Sequence, residues 1–262
     1  MNNRLKILTF LIFSFIFLPS ISFGGRFEQN LQGFSNSLLN SVTERAGLIL
    51  NFKGLNGARP LGITGLTVGL EGTAGFIGTE ADYQNLPTHQ YIPIARLYLA
   101  KGLPFGFDLE LSAVHSSILE GLGLIDPDFL NISLIGGGLK YSILDEGLFQ
   151  PISLAIRGTY TRGVFDKASI DMIGADLSVS KQLGLSFLNL TPYIGTGLLH
   201  SRLHLPLSQP FDGKSSLEGI ATPVRLMGGL SATFGLLKLV GELNYSPATY
   251  TTAASILASF AL

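Results

Sequence analysis

The four histidines His89, His115, His200 and His204 are the side chains best suited to proton transfer or metal binding. His200 and His204 stand four apart, a ligand spacing on a helix. They fall at the end of a segment with strand alternation, where residues four apart lie about 13 Å from each other at roughly 3.3 Å per residue. That is too far to share a metal, so no metal site is expected. Glu80, Asp82 and His89 share one connection, and His204 and Asp212 share another. Either set has the residue types for a base oriented by a carboxylate, but nothing in the spacing sets that geometry. Gly213-Lys214-Ser215 has the ending of a phosphate loop, yet Ser208 stands where its first glycine belongs and no helix follows. Asn131-Ile132-Ser133 is a glycosylation sequon at the start of a strand, and no Gly-x-Ser-x-Gly nucleophile elbow occurs. No catalytic residue and no cofactor are assigned, and the chain is expected not to be an enzyme.

The segments that would hold such residues have an unusual composition. Arg4 and Lys6 precede an apolar run from Ile7 to Pro19, with small residues at Ser20 and Ser22. This is the form of a cleaved export signal over 1–24, and the run is shorter than the roughly 20 residues a helical anchor needs. The 262-residue chain has no cysteine, which excludes disulfides, thiolate metal sites and a lipidated N-terminal cysteine. Its formal net charge of -1 argues against nucleic acid or other polyanionic partners. Only 13% of residues are charged and the mean hydropathy is +0.40, yet the apolar residues are dispersed among 32 glycines. Dispersed hydrophobicity of this kind suits a membrane barrel, where lipid-facing and lumen-facing residues alternate.

The alternation is explicit. In 64–76, Leu66, Val68, Leu70, Ala74 and Phe76 oppose Gly65, Thr67, Gly69, Glu71 and Thr73. Period two is the pleat of a strand with one oily and one polar face. The same pattern runs through 105–113, 152–161, 173–180, 224–234, 237–245 and the terminal Ile256, Ala258, Phe260, Leu262. Weaker versions at 91–101, 132–143 and 190–202 do not settle which face is which. These make ten strands, with eight to twelve within range, over a barrel domain at 63–262. Short turns are expected near 102–104, 145–147, 182–189 and 235–236, and longer connections near 78–90, 119–129, 163–168, 204–220 and 246–252. A soluble sandwich also alternates, but it gathers Lys and Glu on its polar face; here that face is mostly Gly, Ser and Thr with isolated charges. The expected fold is an all-β transmembrane antiparallel β-barrel with an N-terminal amphipathic helix.

The export signal, the alternation, the unequal connections and the terminal Phe260 resemble the outer-membrane β-barrel proteins of Gram-negative bacteria. The resemblance covers 63–262. It implies an outer-membrane location, contact with outer-membrane lipid, periplasmic chaperones, and a barrel assembly machinery that reads Ile256, Ala258, Phe260 and Leu262. Members commonly end in an aromatic residue, whereas this chain ends in Leu262 with Phe260 two positions earlier.

On the inferred lumen face stand Arg96, Lys140, Arg157, Arg225 and Lys238 against Glu71, Asp108, Glu110, Asp176 and Glu242. Arg96 and Lys140 lie on strands of unsettled phase. Balanced charges away from water are stable only when paired, so a salt-bridge network is expected. About eight strands leave width for side chains alone and 16 or more an aqueous channel, so ten favour a filled or narrow lumen. Residues 25–62 differ. Phe27, Leu31, Phe34, Leu38 and Val42 recur at helical spacing, predicting an amphipathic helix over 27–45 and a connector after it. That helix is a plug for the lumen, a periplasmic cover or a mobile tail.

Three functions follow from these residues. The first is a structural or narrowly conducting barrel, passing small or amphipathic solutes at most. The second is an outer-membrane enzyme, a protease or lipid-modifying enzyme, with Asp82, His89, His204 and Asp212 at its external rim. The third is an adhesin or receptor using 78–90 and 204–220, weakened by the modest length of those loops and their few aromatics.

Overall fold

A computed structural model describes residues 36–77, 90–115, 132–147, 150–165, 168–185, 187–211 and 214–262. Among the described residues are twelve strands: β1 (Leu66–Ile77), β2 (Gln90–Gly102), β3 (Phe107–His115), β4 (Ile132–Leu144), β5 (Ser153–Phe165), β6 (Ala168–Ser180), β7 (Leu183–Leu185), β8 (Leu188–Phe211), β9 (Lys214–Ala221), β10 (Val224–Phe234), β11 (Leu237–Ser246) and β12 (Thr251–Ala261). Every pairing is antiparallel. β8 joins β6 to β10 and β12 pairs with β1, so the sheet closes on itself. β7 is a short hairpin arm at the start of β8, and β9 pairs with β8 from Ser201 outward, in line with β10. The wall is therefore a closed ten-stranded barrel. Its seam runs from Thr67↔Ala261 to Phe76↔Thr252, and beyond it Leu66 and Leu262 exchange both backbone hydrogen bonds at 2.9 and 2.7 Å.

The pleat sorts side chains as the alternation predicts. Leu70, Ile194, Leu243 and Ile256 are 58%, 69%, 59% and 52% exposed, while Glu71, Asp108, Lys140 and Arg225 are buried. A wall with its apolar side chains out and its ions in is stable only against lipid, and closure leaves no unpaired strand edge there. Among the described residues no helix is long and apolar enough to cross a membrane.

Three of the expected long connections are corrected. Residues 163–168 are mostly strand, with β5 and β6 separated only by 166–167. The segment 204–220 is the β8–β9 hairpin, and 246–252 holds a four-residue turn at 247–250. The polar residues of 204–220 mark strands that have risen above the apolar belt rather than a loop. The connections 78–89 and 116–131 lie outside the described residues. At the opposite end Gly235, at φ 57, makes the two-residue turn into β11. Phe105 was expected to open β3; it sits instead in the turn Pro104–Gly106 at φ 62 and is 90% exposed.

Helix α1 (Asn36–Leu50) lies inside the barrel at the long-connection end, and 51–61 descends toward the short turns. The expected helix limits are corrected: α1 runs on to Leu50, through residues read as connector, while 27–35 lie outside the described residues. Leu48, Ile49 and Leu50 are all buried because the wall surrounds the helix, so no single apolar stripe marks this part. The core has two storeys. Toward the long connections, Leu39 and Leu50 pack with Val114, Leu134, Ile170, Met172 and Leu199. Below, Phe52 and Leu55 pack with Tyr98, Tyr193, Val240 and Leu257.

Candidate functional site: the occupied lumen

The ten charged residues named from the sequence are all buried, and four ion pairs form among them. Lys140 Nζ lies 2.8 Å from Asp108 Oδ2, its direct partner across β3 and β4. Arg157 Nε lies 2.9 Å from Glu110 Oε2. Arg225 meets Asp176 with two bonds, Nε to Oδ1 at 3.0 Å and the terminal amine to Oδ2 at 2.5 Å. Between them on β8 stands Gly197, where a Cβ would collide with Asp176 Oδ1, so the missing side chain lets the pair close over an intervening strand. Arg96 and Glu71 are loosest at 3.9 Å.

Two of the ten find neutral partners instead. Glu242 accepts hydrogen bonds from Tyr193 Oη at 2.8 Å and Asn244 Nδ2 at 2.7 Å. Lys238 Nζ donates to Asn56 Oδ1. Buried ions need their remaining valences satisfied to be tolerated, and hydroxyl and amide groups do that here.

Asn56 belongs to the strap 51–61, and the strap ties the wall together from within. Asn56 Nδ2 donates to Tyr98 Oη at 2.6 Å and to Glu110 Oε1 at 3.1 Å. The Phe52 amide donates to Thr161 Oγ1 at 2.7 Å and the Ala58 amide to Ser180 Oγ at 2.9 Å. Arg96 donates to the Asn51 carbonyl at 3.0 Å, and Lys140 to the carbonyls of Gly57 and Arg59 at 2.9 and 2.8 Å. The Leu61 amide donates to Asp108 Oδ1 at 3.0 Å. Contacts to inward side chains of β2, β3, β4, β5, β6 and β11 place the strap on the barrel axis. Phe52 stacks on Tyr98 with ring centroids 6.1 Å apart. Above it, Glu44 of α1 accepts hydrogen bonds from Ser246 and Thr249 at 2.5 and 2.9 Å.

Asn56, Lys53, Tyr98, Tyr193 and Thr161 were not singled out from the sequence. Tyr98 and Tyr193 lie on strands of ambiguous phase, and 51–61 has no periodicity. The other candidates lie elsewhere. His200 and His204 are exposed on the outer face of β8, and His200 Nδ1 is 2.8 Å from Thr222 Oγ1. Glu80, Asp82, His89, Asn131, Asp212 and Gly213 lie outside the described residues, among which no cluster of metal-ligating side chains occurs. Ile256, Ala258, Phe260 and Leu262 face outward on and just after β12.

This geometry defines a class: a closed, lipid-facing ten-stranded barrel with an occupied lumen. No family model matches the sequence, and no curated protein matches it. Among solved structures the chain is similar to the N-terminal β-barrel domain of Pseudomonas aeruginosa OprF, with 12% identity, 75% of this chain and 97% of that chain covered, and a TM-score of 0.33. It is similar also to Ail, the attachment invasion locus protein of Yersinia pestis, with 9% identity, coverage of 76% and 97%, and a TM-score of 0.31. At such scores the likeness adds nothing to the argument from the wall and the lumen.

Proposed function

We propose that this protein is a non-enzymatic outer-membrane barrel of a Gram-negative cell, held shut by its own N-terminal segment. The short turns face the periplasm and the long connections the exterior, as is usual for such barrels. The export signal is removed after about residue 24. Assembly machinery recognises the outward residues Ile256, Ala258, Phe260 and Leu262. One observation carries the reading. The strap 51–58 is hydrogen-bonded into a charged lumen on every side, so a solute can pass only where the strap has moved.

The strap also decides how the lumen must be opened. Removing 26–45 takes away most of α1 but leaves Phe52 and Asn56 bound to the wall in the lower storey. In planar bilayers the mature chain and the 26–45 deletion are expected to be silent, and a 26–60 deletion to give discrete conductance. Folding of each is checked by gel mobility before and after heating. Steady conductance from the mature chain, or silence from the folded 26–60 deletion, overturns the proposal.

A further inference from the structure

The outer wall carries a second arrangement that the plugged lumen does not use. Away from the short turns, outward positions hold aliphatic, aromatic or small side chains almost throughout. The charged exceptions among described side chains are Arg162, Asp171, Arg202 and Glu218, all on one side of the barrel. Register puts the first three in one row across β5, β6 and β8, Arg162↔Asp171↔Arg202. Arg162 lies 3.7 Å from Asp171, and Arg202 pairs with Glu218 on β9. The two arginine side chains remain 56% and 60% exposed. A guanidinium has five donors in a planar fork, so each has donors left for an anion such as phosphate.

The next outward row is Tyr160↔Ile173↔His200, with Tyr160 Oη donating to Asp171 Oδ1 at 2.8 Å. Below it the row Leu139↔Gly158↔Ala175↔Leu198 enters a cavity of about 780 Å³ on the lipid-facing side. Gly158 and Ala175 are its small members, Tyr141, Ile156 and Leu177 stand in its sides, and nothing lies within 4 Å of a Cβ added at Gly158. The charged row is four residues above the groove, about 13 Å along the strand. A phosphoglycerol backbone and the first carbons of an acyl chain bridge such a span.

We propose that this face holds a phosphorylated lipid of the surrounding leaflet, its phosphate against the exposed donors of Arg162 and Arg202 that point away from Asp171 and Glu218, and an acyl chain over Gly158 and Ala175. The inference rests on the outward face lying in a bilayer, and it is independent of whether the lumen opens. The lipid is the occupant of choice because the charge stands at the upper edge of the apolar belt, where headgroups lie, with the groove directly beneath it.

The test uses the full mature protein in a neutral maltoside detergent, with native mass spectrometry as the readout. Phosphatidic acid and diacylglycerol with the same chains are offered, with inorganic phosphate as competitor. One phosphatidic acid is expected to be retained about tenfold better than diacylglycerol, the scale of a charge-assisted contact. The double variant Arg162→Gln, Arg202→Gln is expected to lose that preference, and Gly158→Phe to lose both lipids. Heat-shifted gel mobility shows that each variant is folded, and continued silence in planar bilayers shows that the lumen is untouched by the change. Equal retention of the two lipids overturns the proposal, as does a preference that survives in the double arginine variant or displacement by equimolar phosphate. So does a dimer abolished by Gly158→Phe with lipid retention untouched, which would make the groove a contact between barrels.

Discussion

Arg225 reaches Asp176 across β8 because residue 197 is glycine, and the two bonds between them are fully enclosed. Losing one member leaves a buried charge without its hydrogen-bonded partner, whereas replacing both with apolar groups removes the problem. Arg225→Met is therefore expected to lower stability by about 3–5 kcal/mol, and adding Asp176→Leu to recover most of that loss. Urea unfolding from lipid vesicles, followed by tryptophan-free circular dichroism, reads both; a double variant no better than the single one overturns the pairing argument. At this scale legibility depended on the strand. Asp108, Glu110, Arg157 and Asp176 stood out because leucine or isoleucine flanked them at period two. Asn56 gave no such mark, since its partners Tyr98, Glu110 and Lys238 come from three distant strands. Only the closed structure brings them together.

Helix α1 depends on its container. It carries Asn36, Ser37, Asn40, Ser41, Thr43 and Gly47, with no acidic residue in its first turn and no basic residue in its last. A 15-residue helix of that composition is marginal in water. A synthetic peptide of residues 36–50 is expected to show no helical circular dichroism in buffer; a helical spectrum would mean that α1 brings its own stability to the lumen. The wall makes room for it at Gly219, where a Cβ would press on Thr43 Oγ1 and lie 2.9 Å from the Leu39 carbonyl. Gly219→Val is expected to cost about 1–3 kcal/mol in seating α1. Limited proteolysis checks this: cleavage should appear within 36–50 while the barrel keeps its heat-shifted mobility, and unchanged protection would show that the contact does not matter. The same packing explains the three illegible strands. Tyr98, Leu134 and Leu199 face the lumen against Phe52 and α1, so both faces of β2, β4 and β8 are apolar in places and the period-two contrast fades. The helix end was misplaced for a related reason, because Ala46, Leu48 and Leu50 alternate like a strand in a segment buried all round.

The whole molecule has its solvent preferences reversed, with ions at its axis and leucines outside. It is expected to aggregate in buffer and to fold only with detergent or lipid; a monomer that stays dispersed without either would sink the membrane reading. Ring closure was legible at this scale, since an even number of strands follows from alternating short and long connections. The length of those connections was not, because polar strand residues above the apolar belt read like loop. Closure has a consequence for how the molecule is made. The strap lies along the axis and its wall contacts span six strands, while β1 and β12, the first and last wall strands to be synthesised, meet at the final seam. A cylinder completed first would have to be threaded with its own leading segment through a bore that side chains fill. The simpler order lays the cord before the staves are joined, which makes the joining of Leu66 to Leu262 the step that locks the cord in place.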